Sequence, residues 1–381
     1  RVIETIKAAD EMGVKLLVFP ELVLTGCTCY DLTGHNVVLR GAKKALLEVI
    51  AASEGVDMLV FVGLPIAVGS RLYSCAAAIY DGELLGLVPR ENVRGTQFAE
   101  PADSYVEVEI DAEHVAVLST DYVFTCAALP DLKVAAELGA DIDVLVPPSV
   151  RHAQAGATVI AQLASFPETV TSADEAELTL RSQSRRLHCG MIMAAPGKGE
   201  STTDNVFSGL CMIAENGEIL AASECENSMA VTELDVEYIV NTRRGSDDFD
   251  LDSDEYYEAV WGGEPVETEL TRSYRKYPHL PANEADMPAY CERMLDIQVS
   301  GLVKRMQYAG LDHCVVGISG GVDSTLAVMV SAMAVKKLGL PSTNVVACTL
   351  PCFGTSSRTK SNAIVVAEQI GAEVRVIDIG K

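Results

Sequence analysis

The sequence is poor in positive charge. Its 381 residues hold 29 Lys and Arg against 54 Asp and Glu, a formal net charge of −25, with a pI near 4.6. Nucleic acids and anionic membranes attach through basic faces, so neither is expected as a partner. No apolar run approaches the roughly 20 residues that a membrane helix needs. The apolar stretch at 326–335 stops at Lys336 and fits a buried helix. No secretory leader pattern is visible. Residue 1 is Arg, the first residues read as an amphipathic helix, and the true N-terminus is expected to precede them. Among the 11 cysteines, Cys27 and Cys29 are close, but no second pair completes a zinc set. They read as reduced packing thiols in a cytoplasmic protein.

What the sequence does have is apolar mass, 49% of its residues, enough to build cores for two domains. Its richest chemical stretch is Val315-Val316-Gly317-Ile318-Ser319-Gly320-Gly321-Val322-Asp323-Ser324-Thr325. An apolar β-branched run enters two glycines, and a helical pattern follows. Strand, tight loop and helix give converging backbone N–H groups and the positive end of a helix dipole, which suit a polyphosphate. Hydroxyls of Ser319, Ser324 and Thr325 add donors. A carboxylate at Asp323, beside phosphate, makes sense with Mg²⁺ between them. The common P-loop is excluded, because no Lys follows the glycines.

The pattern before this stretch alternates helix, strand, helix and paired strands. Helices are expected at 2–12 and 38–52. Strands are expected at 15–19, 57–63, 72–80, 84–88, 105–110, 115–118, 132–138 and 142–146. This is an α/β sandwich with much antiparallel pairing. Glu21, just after the first strand, stands where α/β proteins place catalytic groups. Residues 244–283 are acidic and Pro-containing and read as a linker. Helical periodicity resumes at about 285–308. Helices at 324–337 and 356–371 then alternate with strands at 344–350 and 373–379, a doubly wound parallel sheet. Three strands would leave an open edge, so the sequence is read as a fragment cut at both ends. The domains are thus placed at 1–243 and 284–381.

Several stretches resemble known families. Ser-Gly-Gly-x-Asp-Ser resembles the loop of the ATP pyrophosphatases. Phe19-Pro20-Glu21-Leu22-Val23-Leu24-Thr25-Gly26 resembles the Glu motif of the nitrilase, or carbon–nitrogen hydrolase, superfamily. Thr25 to Leu32, Val146 to Ser149, Ala155 to Thr158, Gly199 to Asp204, Glu215 to Gly217, Asp296 to Val299 and Phe353 to Thr359 resemble glutamine-dependent NAD⁺ synthetases. The resemblance implies a nitrilase-like α/β/β/α glutaminase domain followed by an ATP-pyrophosphatase domain. It implies ATP at Gly317, Ile318, Ser319, Gly320, Gly321, Val322, Asp323, Ser324 and the Leu350 backbone. It also implies Mg²⁺ at Asp323, with a second acidic ligand beyond residue 381. Ser184 and Arg186 match a substrate-side pair.

A nitrilase uses Glu as base, Lys as oxyanion stabiliser and Cys as acyl-accepting nucleophile. Glu21 matches the first. Val88-Pro89-Arg90 puts Arg90 at the Lys, and a guanidinium is not equivalent to an ammonium. Counting back from Pro147-Pro148-Ser149 puts Gly139 at the Cys. The resemblance implies ATP-dependent amidation of deamido-NAD⁺ to NAD⁺ through an acyl adenylate, within a homo-oligomer. Glutamine is the family's nitrogen donor, but here ammonia has to come from solution or from another protein. Three alternatives stand beside it. Another ATP pyrophosphatase would lack the first half, and a stand-alone amidase would need the missing Cys. The third is a non-catalytic assembly or regulatory subunit.

Overall fold

A computed structural model describes residues 1–101, 105–202, 204–223, 229–249, 256–262, 271–351 and 357–379. The chain divides into two compact units, Arg1–Arg272 and Ser273–Lys381.

In the first unit, strands β1 (Leu16–Val18), β2 (Leu59–Val68), β3 (Arg71–Tyr80), β4 (Glu83–Pro89), β5 (Val106–Glu109) and β6 (Val115–Leu118) form one sheet in the order β1-β2-β3-β4-β6-β5. A second sheet holds β7 (Tyr122–Cys126), β8 (Lys133–Leu138), β9 (Val159–Leu163), β10 (Gly190–Ala194), β11 (Cys211–Glu215), β12 (Glu218–Ser223) and β13 (Tyr257–Trp261). Its order is β12-β11-β10-β9-β8-β7-β13.

Alternation along the strands sorts the side chains into layers. Leu59, Phe61, Ala76 and Ala78 of the first sheet pack on Phe124, Ala136, Leu138 and Ala161 of the second. The outer face of the first sheet packs on helices α1 (Val2–Glu11) and α2 (Asn36–Ala52), through Ile6, Leu46 and Ile50. Helices α3 (Pro148–Gln154) and α4 (Ser172–Leu187) cover the second sheet, through Ala153 and Leu180. The result is an α/β/β/α sandwich. Short helix α5 (Val236–Arg243) follows, and Asp235 caps it by accepting a bond from Tyr238 N–H at 2.8 Å. Two hairpin turns are dictated locally. Asp81-Gly82 and Asn216-Gly217 have paired positive φ values, 45° and 78°, then 47° and 91°. Both have the form of a two-residue I′ connection.

Three expectations are corrected. Residues 142–146 are no strand. The chain leaves β8 at Gly139 with φ +54° and turns as a 3-10 segment to Asp143, leaving Leu145 97% exposed. Asp141 drives that turn by taking the Leu138 N–H at 3.2 Å. Strand β7 was not anticipated. Within the acidic 244–283 stretch, β13 pairs in parallel with β7, and buried Trp261 donates its indole N–H to the Phe124 carbonyl at 3.2 Å. Residues 250–255 and 263–270 of that stretch lie outside the described residues.

The second unit carries helix α6 (Met287–Ala309), strand β14 (Cys314–Gly317), helix α7 (Val322–Lys337), strand β15 (Val345–Thr349), helix α8 (Ser357–Ile370) and strand β16 (Glu373–Val376). The three strands are parallel, in the order β14-β15-β16, with a core of Val299, Val328, Ala334, Val345 and Ala363. Among the described residues, no helix is long and apolar enough to cross a membrane.

Candidate active site and nucleotide loop

Three strand ends meet in the first unit. Glu21 follows β1, Arg90 follows β4 and Gly139 follows β8. The Glu21 loop is held by backbone contact. Its N–H donates to the Ala164 carbonyl at 3.1 Å. Gly63 of β2 lies so close beneath it that a Cβ there would stand 2.3 Å from Leu22 N and 2.6 Å from the Pro20 carbonyl. Leu22 itself takes the left-handed conformation, with φ +57°.

The Glu21 carboxylate is buried. Its Oε1 accepts from the Ser74 hydroxyl at 2.6 Å, and Arg90 Nη1 donates at 3.3 Å to each oxygen. Arg90 is aimed by its own loop, because its Nε donates to the Asn92 carbonyl at 2.8 Å. Asp141 ties that loop to the turn after β8 by accepting from Asn92 N–H at 2.6 Å and Glu91 N–H at 3.2 Å. Burial pushes the Asp141 carboxyl up to about 6, against the pull of those N–H groups. Arg151 of α3 braces the same loop, with Nη1 donating to Glu91 at 2.9 Å and Nε to Asp121 at 3.1 Å.

Gly139 closes the constellation. A Cβ on it would stand 2.5 Å from Arg90 Nη1 and 2.6 Å from Glu21 Oε2. A strand, a sharp left-handed residue and a turn follow one another here, and the left-handed residue is a glycine. Gln162 Nε2 fixes the turn by donating to the Gly139 carbonyl at 2.8 Å. The Glu21 carboxylate and the Arg90 guanidinium are thus brought together around a glycine, which carries no side chain.

Among the described residues, the thiols nearest the site are Cys27, Cys29 and Cys75, and none has a depressed pKa. Cys27 faces the site's cavity, but burial and the Glu200 carboxylate 3.6 Å away push its thiol far up. Cys29 is pushed up the same way. Cys75 is fully buried on β3, and burial plus the Glu21 charge hold it protonated. A reactive cysteine needs the opposite environment.

The cavity measures about 390 Å³, with Glu21 and Arg90 among its lining residues. Ser165, Asn205 and Phe207 also line it, and the sequence reading missed all three. Ser165 comes two residues after β9, near a strand end that could have flagged it. Ser184 and Arg186 do not join the site. The Ser184 hydroxyl is buried on α4, where it accepts the Gly217 N–H at 3.0 Å and braces a hairpin. Arg186 Nη2 donates to Gln183 at 2.7 Å on the exposed side of the same helix.

In the second unit, β14 ends at Gly317 and α7 starts at Val322. Between them, Gly320 turns with φ +82°. Ser324 Oγ receives the Ser319 N–H at 3.2 Å, and Ser319 Oγ the Gly321 N–H at 3.3 Å. Thr325 Oγ1 donates to the Gly321 carbonyl at 2.9 Å. The loop therefore presents hydroxyls and N–H groups at the start of a 16-residue helix. Ile318 N–H donates to the Cys348 carbonyl at 2.7 Å, which places the loop beside the end of β15 and Leu350. Asp323 is exposed in the first turn. Among the described residues, no three His, Cys, Asp or Glu gather as a metal cluster. One carboxylate fits Mg²⁺ only with phosphate oxygens completing the set. Thr203, and residues 353–356 of the Phe353–Thr359 motif, lie outside the described residues.

The carbon–nitrogen hydrolase family model matches residues 1–244, and the NAD synthase model matches residues 294–381. A glutamine-dependent NAD(+) synthetase of Mycobacterium tuberculosis is 33% identical over 398 residues, covering 100% of this chain and 58% of that protein. One from Thermotoga maritima is 24% identical over 394 residues, covering 100% and 62%. The crystal structure of a glutamine-dependent NAD(+) synthetase from Cytophaga hutchinsonii shares the fold, with a TM-score of 0.53 at 16% identity, over 100% of this chain and 61% of that one. The chain thus spans about three fifths of the length of these relatives.

Proposed function

The chain belongs to the carbon–nitrogen hydrolase family, and on that premise we propose that it serves ATP-dependent amidation of deamido-NAD⁺ to NAD⁺ with ammonia, not glutamine, as its direct nitrogen source. The NAD synthase match and the curated relatives support the amidation. One observation carries the choice of nitrogen source. Gly139 offers no acyl acceptor, and Glu21 with Arg90 occupies the space where its side chain would begin.

The chemistry assigned to the second unit is adenylylation of the nicotinate carboxylate followed by attack of ammonia. Gly320, Gly321 and the hydroxyls of Ser319, Ser324 and Thr325 hold the pyrophosphate group by hydrogen bonding at a helix N-terminus. Gly317, Ile318, Val322 and the Leu350 backbone complete the nucleotide contacts. Asp323 would hold a magnesium ion, whose charge offsets that of the leaving pyrophosphate. In the first unit, Glu21 and Arg90 keep a base and a cation but cannot form a thioester. The protein is read as a homo-oligomer.

The test uses the full-length protein with deamido-NAD⁺, Mg-ATP and either ammonium or glutamine. NAD⁺ should form with ammonium, and glutamine should give neither NAD⁺ nor glutamate. Glutamate release that disappears in Glu21→Ala would refute the choice of nitrogen source. Absence of Mg-ATP binding by calorimetry would instead favour a non-catalytic assembly subunit.

A further inference from the structure

The cavity beside Glu21 and Arg90 has an inner wall and a rim. Glu21, Leu22, Thr33 and Phe207 line it from buried positions, whereas Tyr30 and Gln97 line it from exposed ones. Tyr30 belongs to the segment Cys27–Gly34, which coils as short 3-10 turns and breaks at Tyr30 itself, with φ 42° and ψ −122°. That conformation suits glycine. A bulky side chain holds it only where the surroundings over-determine the backbone.

Two contacts do so, and both cross the rim. The Tyr30 hydroxyl accepts from Asn205 Nδ2 at 3.0 Å, and the Tyr30 carbonyl accepts from Gln97 Nε2. Asn205, like Gln97, lines the cavity. Tyr30 is thus tied to loops 67 and 175 residues further along the chain. The flanks are fixed separately. Before Tyr30, Thr28 Oγ1 donates to Glu200 Oε2 at 3.1 Å and Cys27 Sγ lies 3.6 Å from the same oxygen. After it, Thr33 is buried. Between these anchors Tyr30, Asp31 and Leu32 are all exposed, so little buried surface holds the stretch down. Backbone strain favours release of Tyr30 and two side-chain hydrogen bonds oppose it. That balance is what a two-state latch requires.

We propose that residues 30–32 are a lid on the Glu21–Arg90 cavity, latched by Tyr30 to Asn205 and Gln97, and that release of Tyr30 into a relaxed backbone opens the cavity to small molecules. The volume of about 390 Å³ suits a ligand of metabolite size. The lid is independent of the nitrogen source proposed above, because neither latch contact involves Glu21, Arg90 or Gly139.

Cys27 lines the cavity and reports its opening. The full-length protein is treated with iodoacetamide at fixed pH, and labelling of each cysteine is followed by peptide mass spectrometry. Asn205→Ala and Tyr30→Phe delete the same hydrogen bond. Each should speed Cys27 labelling about fivefold, the population shift that one ordinary hydrogen bond gives, and the two together should add nothing more. Gln97→Ala deletes the other contact and should multiply the gain. Labelling of Cys75, fully buried on β3, should stay unchanged. A Cys27 rate that is the same in all these proteins, zero included, would overturn the lid. So would equal acceleration at Cys75, which marks loosening of the whole unit.

Discussion

Arg90 Nη1 lies 3.3 Å from Glu21, with the two side chains exposed by 10% and 0%. A pair this deeply buried is costly to break from one side. Arg90→Ala leaves an uncompensated carboxylate and is expected to destabilise the chain by about 3–5 kcal/mol. The double variant Arg90→Met/Glu21→Gln should lose distinctly less. Urea unfolding of the two side by side reads this difference.

Restoring a thiol alone should fail. Gly139→Cys puts a Cβ 2.5 Å from Arg90 Nη1, on a backbone with φ +54°. The left-handed backbone alone costs about 1–3 kcal/mol. No glutamate release is expected from this variant, and its melting temperature should fall. Adding Arg90→Lys removes the planar group from the contested space and should recover part of that fall.

Gly63 supports the Glu21 loop by having no side chain. In Gly63→Ala, the new methyl meets backbone atoms of Pro20, Glu21 and Leu22 between 2.3 and 2.8 Å. Backbone cannot swing aside, so the loss should reach at least the 1–3 kcal/mol typical of overpacking, about the cost of a misfit core methyl. The near-ultraviolet circular dichroism spectrum of the folded variant should also change, because Phe19 enters the same loop.

Glu137 gives a pH test. Burial raises its carboxyl from 4.5 to about 8. Between those values the native state holds a proton that the unfolded chain has released. Its contribution is therefore complete below about pH 4.5 and is lost as pH rises through about 8. Glu137→Gln cannot titrate and should flatten this decline. Unfolding midpoints for both proteins, measured across that range, check it.

Much of this was legible before any coordinates. Glu21, Arg90 and Gly139 could be placed because each follows a buried strand, and short motifs on either side fix the register. The Asp81-Gly82 and Asn216-Gly217 turns follow from local chemistry. Of what escaped, two features were decided by partners far along the chain and one by a short local bond. Strand β13 sits in an acidic run, and only its contact with β7 makes Tyr257–Trp261 a strand. Residues 142–146 have strand-like composition, but Asp141 bonds back to Leu138 and ends the sheet first. Ser184 carries a hydroxyl and stands near two arginines, as a substrate ligand might. Its fate as a turn brace depends on Gly217, which the helix pattern does not reveal.

Strand β13 also sets where the first unit can be severed. Shearing the polypeptide at residue 243 would strip Trp261 from Phe124 and leave β7 as a bare flank of the second sheet. An unpaired flank of this kind recruits strands from other molecules. Proteolytic or recombinant halves divided there should clump, whereas a division after Arg272 keeps the sheet's own selvedge.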